Sequence, residues 1–248
     1  MRRLFSPRWV LVHLGVALLV FVMINLGFWQ LRRLDEKKTF NASVTSHIAA
    51  PVLDYTKRIP TSPTAEWSRV QLAGHYDEAH TVTIINRSQD GSAGYDIAVP
   101  FINNDGSMIL VNRGFVPLSV EHPAAPSGNI RIIGYLRKTQ SRSAVGAIDS
   151  TSSTNTEFQR FDLPLIAKAT EISLLDTTYL QLIKESVISP SQWPATVAMP
   201  ALDEGPHLSY AVQWFFFSAT ALTAWVLVVR LKLRETVSDP SVPEQTSV

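Results

Sequence analysis

The residues best suited to chemistry lie at the start of an apolar run near the C-terminus, in the stretch HLSYAVQWF. His207 opens this stretch, and the proline before it favours a helix start, because proline suits the first helical turn. Tyr210, Trp214 and Ser218 follow at spacings of three, seven and eleven residues. Residues at these spacings share one face of a helix, so the three side chains should lie beneath the histidine.

A histidine at a helix N-terminus is biased toward its neutral form by the positive end of the helix dipole, and neutral imidazole is the form that ligates a metal. His207 is therefore a candidate metal ligand. Tyr210 and Trp214 could wall a flat ring, and Arg32 or Arg33 could hold carboxylates near it. Haem has this combination of needs, which makes His207 a candidate ligand of haem iron. The alternative is an interfacial aromatic belt with one polar residue in the headgroup region.

Motifs of soluble enzymes are missing from the sequence, including the Gly-x-Ser-x-Gly elbow, the phosphate-binding glycine loop and the His-Glu-x-x-His helix. His75 and His80 lie five residues apart, and a regular strand would point them to opposite faces, so no shared metal is expected there. Asp77 and Glu78 read as a solvated turn. We expect no enzyme. The remoter alternative is a membrane-anchored enzyme with an extracytoplasmic domain, because catalytic groups can assemble from residues that are distant in sequence.

Two apolar runs, Val10–Leu31 and Leu208–Val229, contain no Asp, Glu, Lys or Arg, and each is 22 residues long. At about 1.5 Å per residue either run could cross a hydrocarbon core of roughly 30 Å as a helix. Arg2, Arg3 and Arg8 precede the first run like the basic leader of a signal peptide, but no Ala-x-Ala cleavage site follows it. The first run is therefore predicted to be an uncleaved anchor.

The orientation of the two spans follows from the charges at their ends. Arg230, Lys232 and Arg234 follow the second span, which predicts that the C-terminus is cytoplasmic. The predicted organisation is a cytoplasmic N-terminus (1–9), a first transmembrane helix (10–31), an extracytoplasmic domain (32–207), a second transmembrane helix (208–229) and a disordered cytoplasmic tail (230–248). The short segment before the first span favours a bacterial plasma membrane over a mitochondrial inner membrane. A net charge of +1 gives no pull toward nucleic acid.

The outward segment is predicted to be a mostly antiparallel α+β domain, because its apolar residues alternate with a period of two between turn signals. Asn103–Gly106 forms the turn of a predicted hairpin, and Asp162 is a predicted N-cap of a short helix. The Ser/Thr-rich segment 139–157 is predicted to be a long mobile loop. The strands of this domain are predicted at 70–72, 81–84, 94–101, 108–112, 130–138 and 178–187.

Two amides lie inside the apolar runs at matching depths. Asn25 is six residues from Leu31, and Gln213 is six residues from His207, so both would lie roughly 9 Å inside the outer boundary of an antiparallel helix pair. We expect them to hydrogen-bond across the pair, a contact worth about 1 kcal/mol in a membrane. The alternative is that each amide faces a partner protein.

Three blocks together resemble the signature motifs of the surfeit-locus family of cytochrome c oxidase assembly factors. The blocks are LGFWQLRRLDEKK after the first span, GYDIAVPF with DGSMILVNRGFVP in the predicted hairpin, and HLSYAVQWF at the second span. The resemblance implies a membrane protein that assists haem a delivery to the catalytic subunit of the oxidase and that contacts this subunit and other assembly factors. A haem-independent membrane chaperone for nascent oxidase subunits is the alternative within this class.

The resemblance also implies roles for particular residues. The haem-binding histidine of the family corresponds to His207, and the family tyrosine corresponds to Tyr210. Trp29 and Gln30, which the antiparallel pairing of the two spans would place near His207, match a Trp-Gln pair of the family. Further motif positions, with partner-binding or structural roles, are Gly74, Asn112, Arg113 and Gly114.

Two positions depart from the family pattern. Phe115 stands where the family usually has tryptophan, which keeps the aromatic bulk but loses an N–H donor. Asn86-Arg87 stands where the family tends to have Pro-Arg, so the family pattern does not predict the loop geometry there.

Overall fold

A computed structural model describes residues 6–59, 66–152, 154–187 and 191–237. It divides into a helical unit, Met1–Asn41 with Leu202–Val248, and a β-rich unit, Ala42–Ala201. In chain order the elements are α1 (Pro7–Ala49), β1 (Leu53–Asp54), β2 (Arg69–Tyr76), a 3-10 turn (Glu78–His80), β3 (Val82–Gln89), β4 (Ser92–Asn103), β5 (Met108–Pro117), β6 (Ile130–Lys138), β7 (Glu157–Phe158), α2 (Leu163–Thr170), β8 (Thr178–Glu185) and α3 (His207–Val237).

Both terminal helices are longer than the apolar runs that predicted them. Helix α1 has 43 residues and continues well past Leu31, where the apolar run ends. The charged segment after Leu31 contains good helix formers and has no glycine or proline before Pro51, so nothing in it stops the helix. Helix α3 begins at His207, close to the predicted start, and ends at Val237. Residues 230–237 are therefore helical rather than part of the predicted disordered tail, while 238–248 lie outside the described residues.

The two helices of the helical unit pack along a seam whose less exposed positions recur at alternating spacings of three and four. This is the spacing of a coiled coil. The pair is antiparallel, because His13 near the start of α1 contacts Trp225 far along α3, and Gln30 further along α1 contacts His207 at the start of α3. We call these positions the seam: on α1 they are Trp9, His13, Val16, Val20, Met23, Gly27 and Gln30, and on α3 His207, Ala211, Trp214, Ser218, Ala221 and Trp225.

Gly27 makes room on α1 for an aromatic side chain of α3. A Cβ at this position would lie 2.7 Å from the ring of Phe215, so the phenyl group occupies the space that a side chain would need. Phe28 packs edge-on against the same ring, with 5.4 Å between the ring centroids. A glycine on the seam thus lets an aromatic side chain of α3 rest against the α1 backbone.

Both terminal helices are long and apolar enough to cross a membrane, with mean hydropathies of 2.4 and 1.7 in their most apolar stretches. Only 6% of each stretch is buried, whereas the core helix of a soluble protein would be mostly covered. Large apolar side chains such as Leu14, Phe21, Phe216 and Leu227 are exposed. A membrane location accounts for this exposed apolar surface.

Five strands of the β-rich unit close into a ring. Strand β2 pairs with β6 on one side and with β4 on the other, and β8 and β5 complete the circuit. Gly74 lies where the ring closes, opposite Asn103, and a Cβ there would collide with the carbonyl of Ile102. The ring encloses one apolar core, formed by residues that include Val70, Leu72, Val99, Phe101, Val111 and Leu180.

The sheet is mixed, with antiparallel pairings in the majority. The predicted strands and the hairpin formed by β4 and β5 are confirmed. Parallel pairs join β1 to β2, β3 to β7 and β5 to β8. At the departure from the family pattern, Asn86 has a φ of +59°, and the register of β3 shifts between Ile84 and Arg87. The unusual Asn-Arg pair therefore lies at a β-bulge, where asparagine tolerates a positive φ.

Helix α2 covers a second apolar cluster outside the ring. Asp162 caps this helix as predicted, because its side chain accepts a hydrogen bond from the amide of Leu165 at 3.4 Å. Phe161 stacks on Tyr179 with 4.1 Å between centroids and 8° between planes. Before β7, the described residues of 139–157 form no helix or strand, but Asp149 is buried and pairs with Arg160 at 3.2 Å. This ion pair fixes the middle of the predicted mobile loop to the β-rich unit.

Candidate functional site

The outer end of the helix pair brings together His207 and Gln30. Nδ1 of His207 lies 2.8 Å from Oε1 of Gln30. An amide oxygen can only accept, so Nδ1 carries the proton and donates it to Gln30. The lone pair of neutral His207 is then on Nε2. A hydrogen bond of this kind fixes both the tautomer and the orientation of a ligating imidazole.

The segment before α3 positions this histidine. Gly205 has a φ of +66°, which favours glycine, and Pro206 accepts a hydrogen bond from the amide of Tyr210 at 3.1 Å. A Cβ at Gly205 would lie 3.6 Å from Nε2 of His207. The missing side chain therefore leaves space beside the nitrogen that carries the lone pair.

Further contacts fasten this segment to α1. Nδ2 of Asn41 donates to the carbonyl oxygens of Leu202 and Asp203, at 2.9 and 3.2 Å. Lys38 and Glu204 form an ion pair at 3.6 Å. Because these bonds lie just before α3, they set the register in which His207 meets Gln30.

The aromatic residues predicted to line the site are not all on the face of His207. Trp214 lies on the seam and packs edge-on against Phe217, at 6.2 Å between centroids. Tyr210 is 46% exposed and lies off the seam, so it does not share the face of His207 and Trp214 as predicted. Trp29 is 47% exposed, and the seam register places it on the same flank of the helix pair as Tyr210. Neither exposed ring therefore lies on the seam beneath the histidine.

The predicted hydrogen bond between Asn25 and Gln213 is wrong. Nδ2 of Asn25 donates to the carbonyl of Phe21 in its own helix at 2.8 Å, and both amide side chains are exposed. The described residues contain no hydrogen bond between them. The two amides match in depth, but both lie off the seam, and Asn25 points directly away from it. The alternative, in which each amide faces a partner protein, is consistent with this placement.

Arg113 is buried in the barrel rather than presented at its surface. Its side chain is 2% exposed, and its Nε donates to Oε1 of Glu185 at 3.2 Å. The hydroxyl of Tyr76 donates to the same carboxylate oxygen at 2.8 Å. Burial, reinforced by the charge of Glu185, raises the pKa of Tyr76 well above 10.0. These contacts support the structural role of Arg113 over contact with a partner.

Asn112 and Gly114 shape the backbone around Arg113. The amide of Gly114 donates to Oδ1 of Asn112 at 3.0 Å, and Gly114 has a φ of +138°. A Cβ at Gly114 would collide with the carbonyl of Ala195, which bridges to Phe115. Asn112 also donates to buried Asp96 at 3.2 Å, and burial raises the pKa of this carboxyl group. Asn112 and Gly114 therefore shape the strand end to which the segment around Ala195 is bound.

A second seam histidine was missed by the sequence analysis. His13 lies near the other end of the helix pair, where Nε1 of Trp225 donates to its Nδ1 at 3.0 Å. The available signal was an ionisable residue inside an apolar run, which in a membrane usually has a function. Histidine was not among the four residue types, Asp, Glu, Lys and Arg, whose absence defines the apolar runs.

The donor set at the outer end suits only a metal that brings most of its own ligands. No group of three or more His, Cys, Asp or Glu side chains that could hold a metal ion occurs among the described residues. His207 can offer one nitrogen. One protein nitrogen is the number of donors that an iron porphyrin, which supplies four nitrogens itself, requires at one axial position.

The fold and the site define a class: two membrane-length helices that join at a hydrogen-bonded histidine and flank a β-barrel. Residues 17–219 match the profile of the SURF1 family, so the chain belongs to this family, and the resemblance seen in the three motifs is confirmed. The SURF1 family is a family of cytochrome c oxidase assembly factors rather than a catalytic one.

Curated relatives carry the same family name. An uncharacterized SURF1-like protein of Mycobacterium tuberculosis is 26% identical over 228 residues, which cover 88% of this chain and 82% of that protein. The SURF1-like protein of Rickettsia bellii is 26% identical, over 88% of this chain and 90% of that protein. The SURF1-like protein of Monosiga brevicollis is 26% identical, over 90% of this chain and 87% of that protein. The similarity thus extends over nearly the whole length of each protein.

Proposed function

We propose that this protein assists delivery or insertion of haem a into the catalytic subunit of cytochrome c oxidase, with His207 as a transient ligand of the haem iron. The observation that carries the proposal is the hydrogen bond from Nδ1 of His207 to Gln30, because it leaves Nε2 as the free electron-pair donor. When bound, haem supplies an iron atom with an axial position for one such nitrogen.

The neighbouring residues support this role in distinct ways. Gln30 holds the tautomer and the ring orientation, as hydrogen-bond partners of ligating histidines commonly do. Gly205 keeps the side of Nε2 open. Trp29 and Tyr210 present half-exposed rings on one flank, where they can contact a flat apolar macrocycle. Trp214 supports the seam beneath His207 and is a less direct contributor than the sequence predicted.

The proposed location is a bacterial plasma membrane, with both termini cytoplasmic and the barrel outside. The cluster of basic residues after the apolar part of α3 supports this orientation. In this orientation His207 lies at the outer boundary of the membrane. The proposed partners are the catalytic subunit of the oxidase and other assembly factors, which the barrel would contact.

The test is the optical spectrum of the full chain purified from cells that make haem a. We expect the wild type to carry haem and His207→Ala to lose at least nine tenths of it. His75→Ala is the matched control, because His75 is an exposed histidine of β2 in the other unit, and it should keep its haem.

A colourless wild type that still supports normal oxidase assembly would overturn the haem-ligand proposal. It would favour the haem-independent chaperone for nascent oxidase subunits instead. Equal haem content in the wild type and in His207→Ala would show that another residue is the ligand.

A further inference from the structure

The inner end of the helix pair holds a polar donor within an apolar surface. Nε1 of Trp225 donates to Nδ1 of His13 at 3.0 Å. An indole N–H can only donate, so Nδ1 of His13 is the acceptor and the proton of the neutral ring is on Nε2. The ring is partly exposed, and among the described residues its hydrogen bond is the one made through Nδ1, which leaves Nε2–H without a partner there.

A groove of about 430 Å³ begins at this histidine and runs along the helix pair. His13 and Trp225 line one end, and the rest of the lining is apolar and includes Val16, Val20, Ile24 and Leu222. From His13 to Ile24 the groove follows eleven residues of α1, or about 16 Å at 1.5 Å per residue. This length suits most of an acyl chain.

Charged residues lie just beyond the polar end of the groove. Arg8 precedes His13 by five residues, Arg230 follows Trp225 by five, and both arginines are exposed. Trp9, which packs against His13 at 5.7 Å between centroids, belongs to the kind of aromatic belt found at a membrane boundary. The order along the helices is therefore positive charge, hydrogen-bond donor and apolar groove.

We propose that this groove binds one anionic phospholipid. An ester carbonyl oxygen accepts a hydrogen bond from His13 Nε2–H, one acyl chain occupies the groove, and the phosphate lies in the membrane layer that holds Arg8 and Arg230. An N–H group in contact with hydrocarbon alone is costly, and the bound ester removes that cost. The site requires the helix pair to span a membrane but does not depend on haem binding at His207.

The test uses native mass spectrometry of the full chain in detergent, with dioleoyl-phosphatidylglycerol, dioleoyl-phosphatidylcholine or a long-tailed quinone added separately. We expect one phosphatidylglycerol per chain to be retained and the other two to be lost. His13→Phe keeps the aromatic ring but removes the donor, and should lower the retained fraction at least fivefold.

Ile24→Trp is a second variant that fills the groove while leaving His13 intact, and it should lower retention similarly. Val22→Trp is its matched control, since Val22 is exposed away from the groove and should have no effect. Equal retention of both phospholipids in all variants would overturn the proposal and indicate annular lipid only. Preferential retention of the quinone would also overturn it. His207→Ala should retain the lipid, which separates this proposal from the haem proposal.

Discussion

Two histidines lie on the same seam, near opposite ends of one helix pair, and their protons are on opposite nitrogens. His207 meets an amide oxygen that can only accept, so its Nδ1 is protonated and Nε2 has the lone pair. His13 meets an indole N–H that can only donate, so its Nδ1 accepts and Nε2 is protonated. The residue across the seam therefore decides whether a histidine can ligate a metal or donate a hydrogen bond.

The largest expected effect comes from Gly27→Leu, which would separate the two histidines from both of their partners. A side chain at Gly27 collides with the ring of Phe215, and overpacking of this kind costs about 1–3 kcal/mol or more. Haem content and lipid retention should both fall at least tenfold. Gly15→Leu is the control, because no atom lies within 4 Å of a Cβ built there. If Gly27→Leu keeps both ligands, the seam does not position the histidines.

Replacement of Gln30 should affect only the outer end. Gln30→Leu removes the acceptor for Nδ1 of His207, and loss of such a partner typically costs 10–100-fold in metal affinity. Gln30→Glu keeps an acceptor oxygen and should keep the haem. Titration of the purified variants with haem, followed in the Soret band, measures the difference. Weak binding by both variants would mean that the side-chain amide, rather than the acceptor oxygen, is needed.

A smaller effect is expected from Trp225→Phe at the inner end. This change removes one hydrogen bond in the membrane, which is worth about 0.6 kcal/mol on average, and frees His13 to populate both tautomers. Nitrogen-15 NMR of labelled histidine should show averaging of the His13 signals and no change for His207. An unchanged His13 spectrum would show that something other than the indole fixes its tautomer.

The smallest effect is expected in the barrel, where burial rather than a partner across a seam sets the behaviour of an ionisable group. Burial raises the pKa of Asp96 above 3.8, although Arg87 and Asn112 oppose the shift. The native state therefore holds the proton more tightly, and the resulting stability is lost as the pH rises through the raised pKa. Thermal unfolding of the barrel should lose part of this acid-side dependence in Asp96→Asn. A steeper dependence in the variant would contradict the raised pKa.

The sequence predicted the helices and strands better than it predicted the directions in which their side chains face. Strands β4 and β5 were identified because their alternation and turn residues are local signals. The end of α1 was missed because an apolar run predicts only the part of a helix that can lie in a membrane. The residues after Leu31 are polar but favour helix, so α1 continues beyond the apolar run. Asn25 and Gln213 were paired by depth, whereas contact also requires the correct rotation about each helix axis.

The candidate site shows the same division between local and distant information. His207 was found from its position at the start of a helix, and Gln30 was placed near it by the antiparallel pairing of the two apolar runs. Their hydrogen bond joins residues 177 apart, so no local pattern reveals which nitrogen is protonated. Closure of the barrel is equally remote from local signals, because Gly74 and Asn103 pair only after β2 and β4 have met.

Ring closure also limits how a partner can recognise the barrel. Each of the five ring strands has a neighbour on both sides, and among the described residues the sheet continues outward through β3 and two very short outer strands, β1 and β7, of two residues each. Strand β7 covers only Thr83 and Ile84 of β3, so the backbone that an incoming chain could pair with lies mainly along the rest of β3. Recognition of the ring strands must therefore rely on side chains and loops, and the same closure protects these strands from edge-to-edge aggregation.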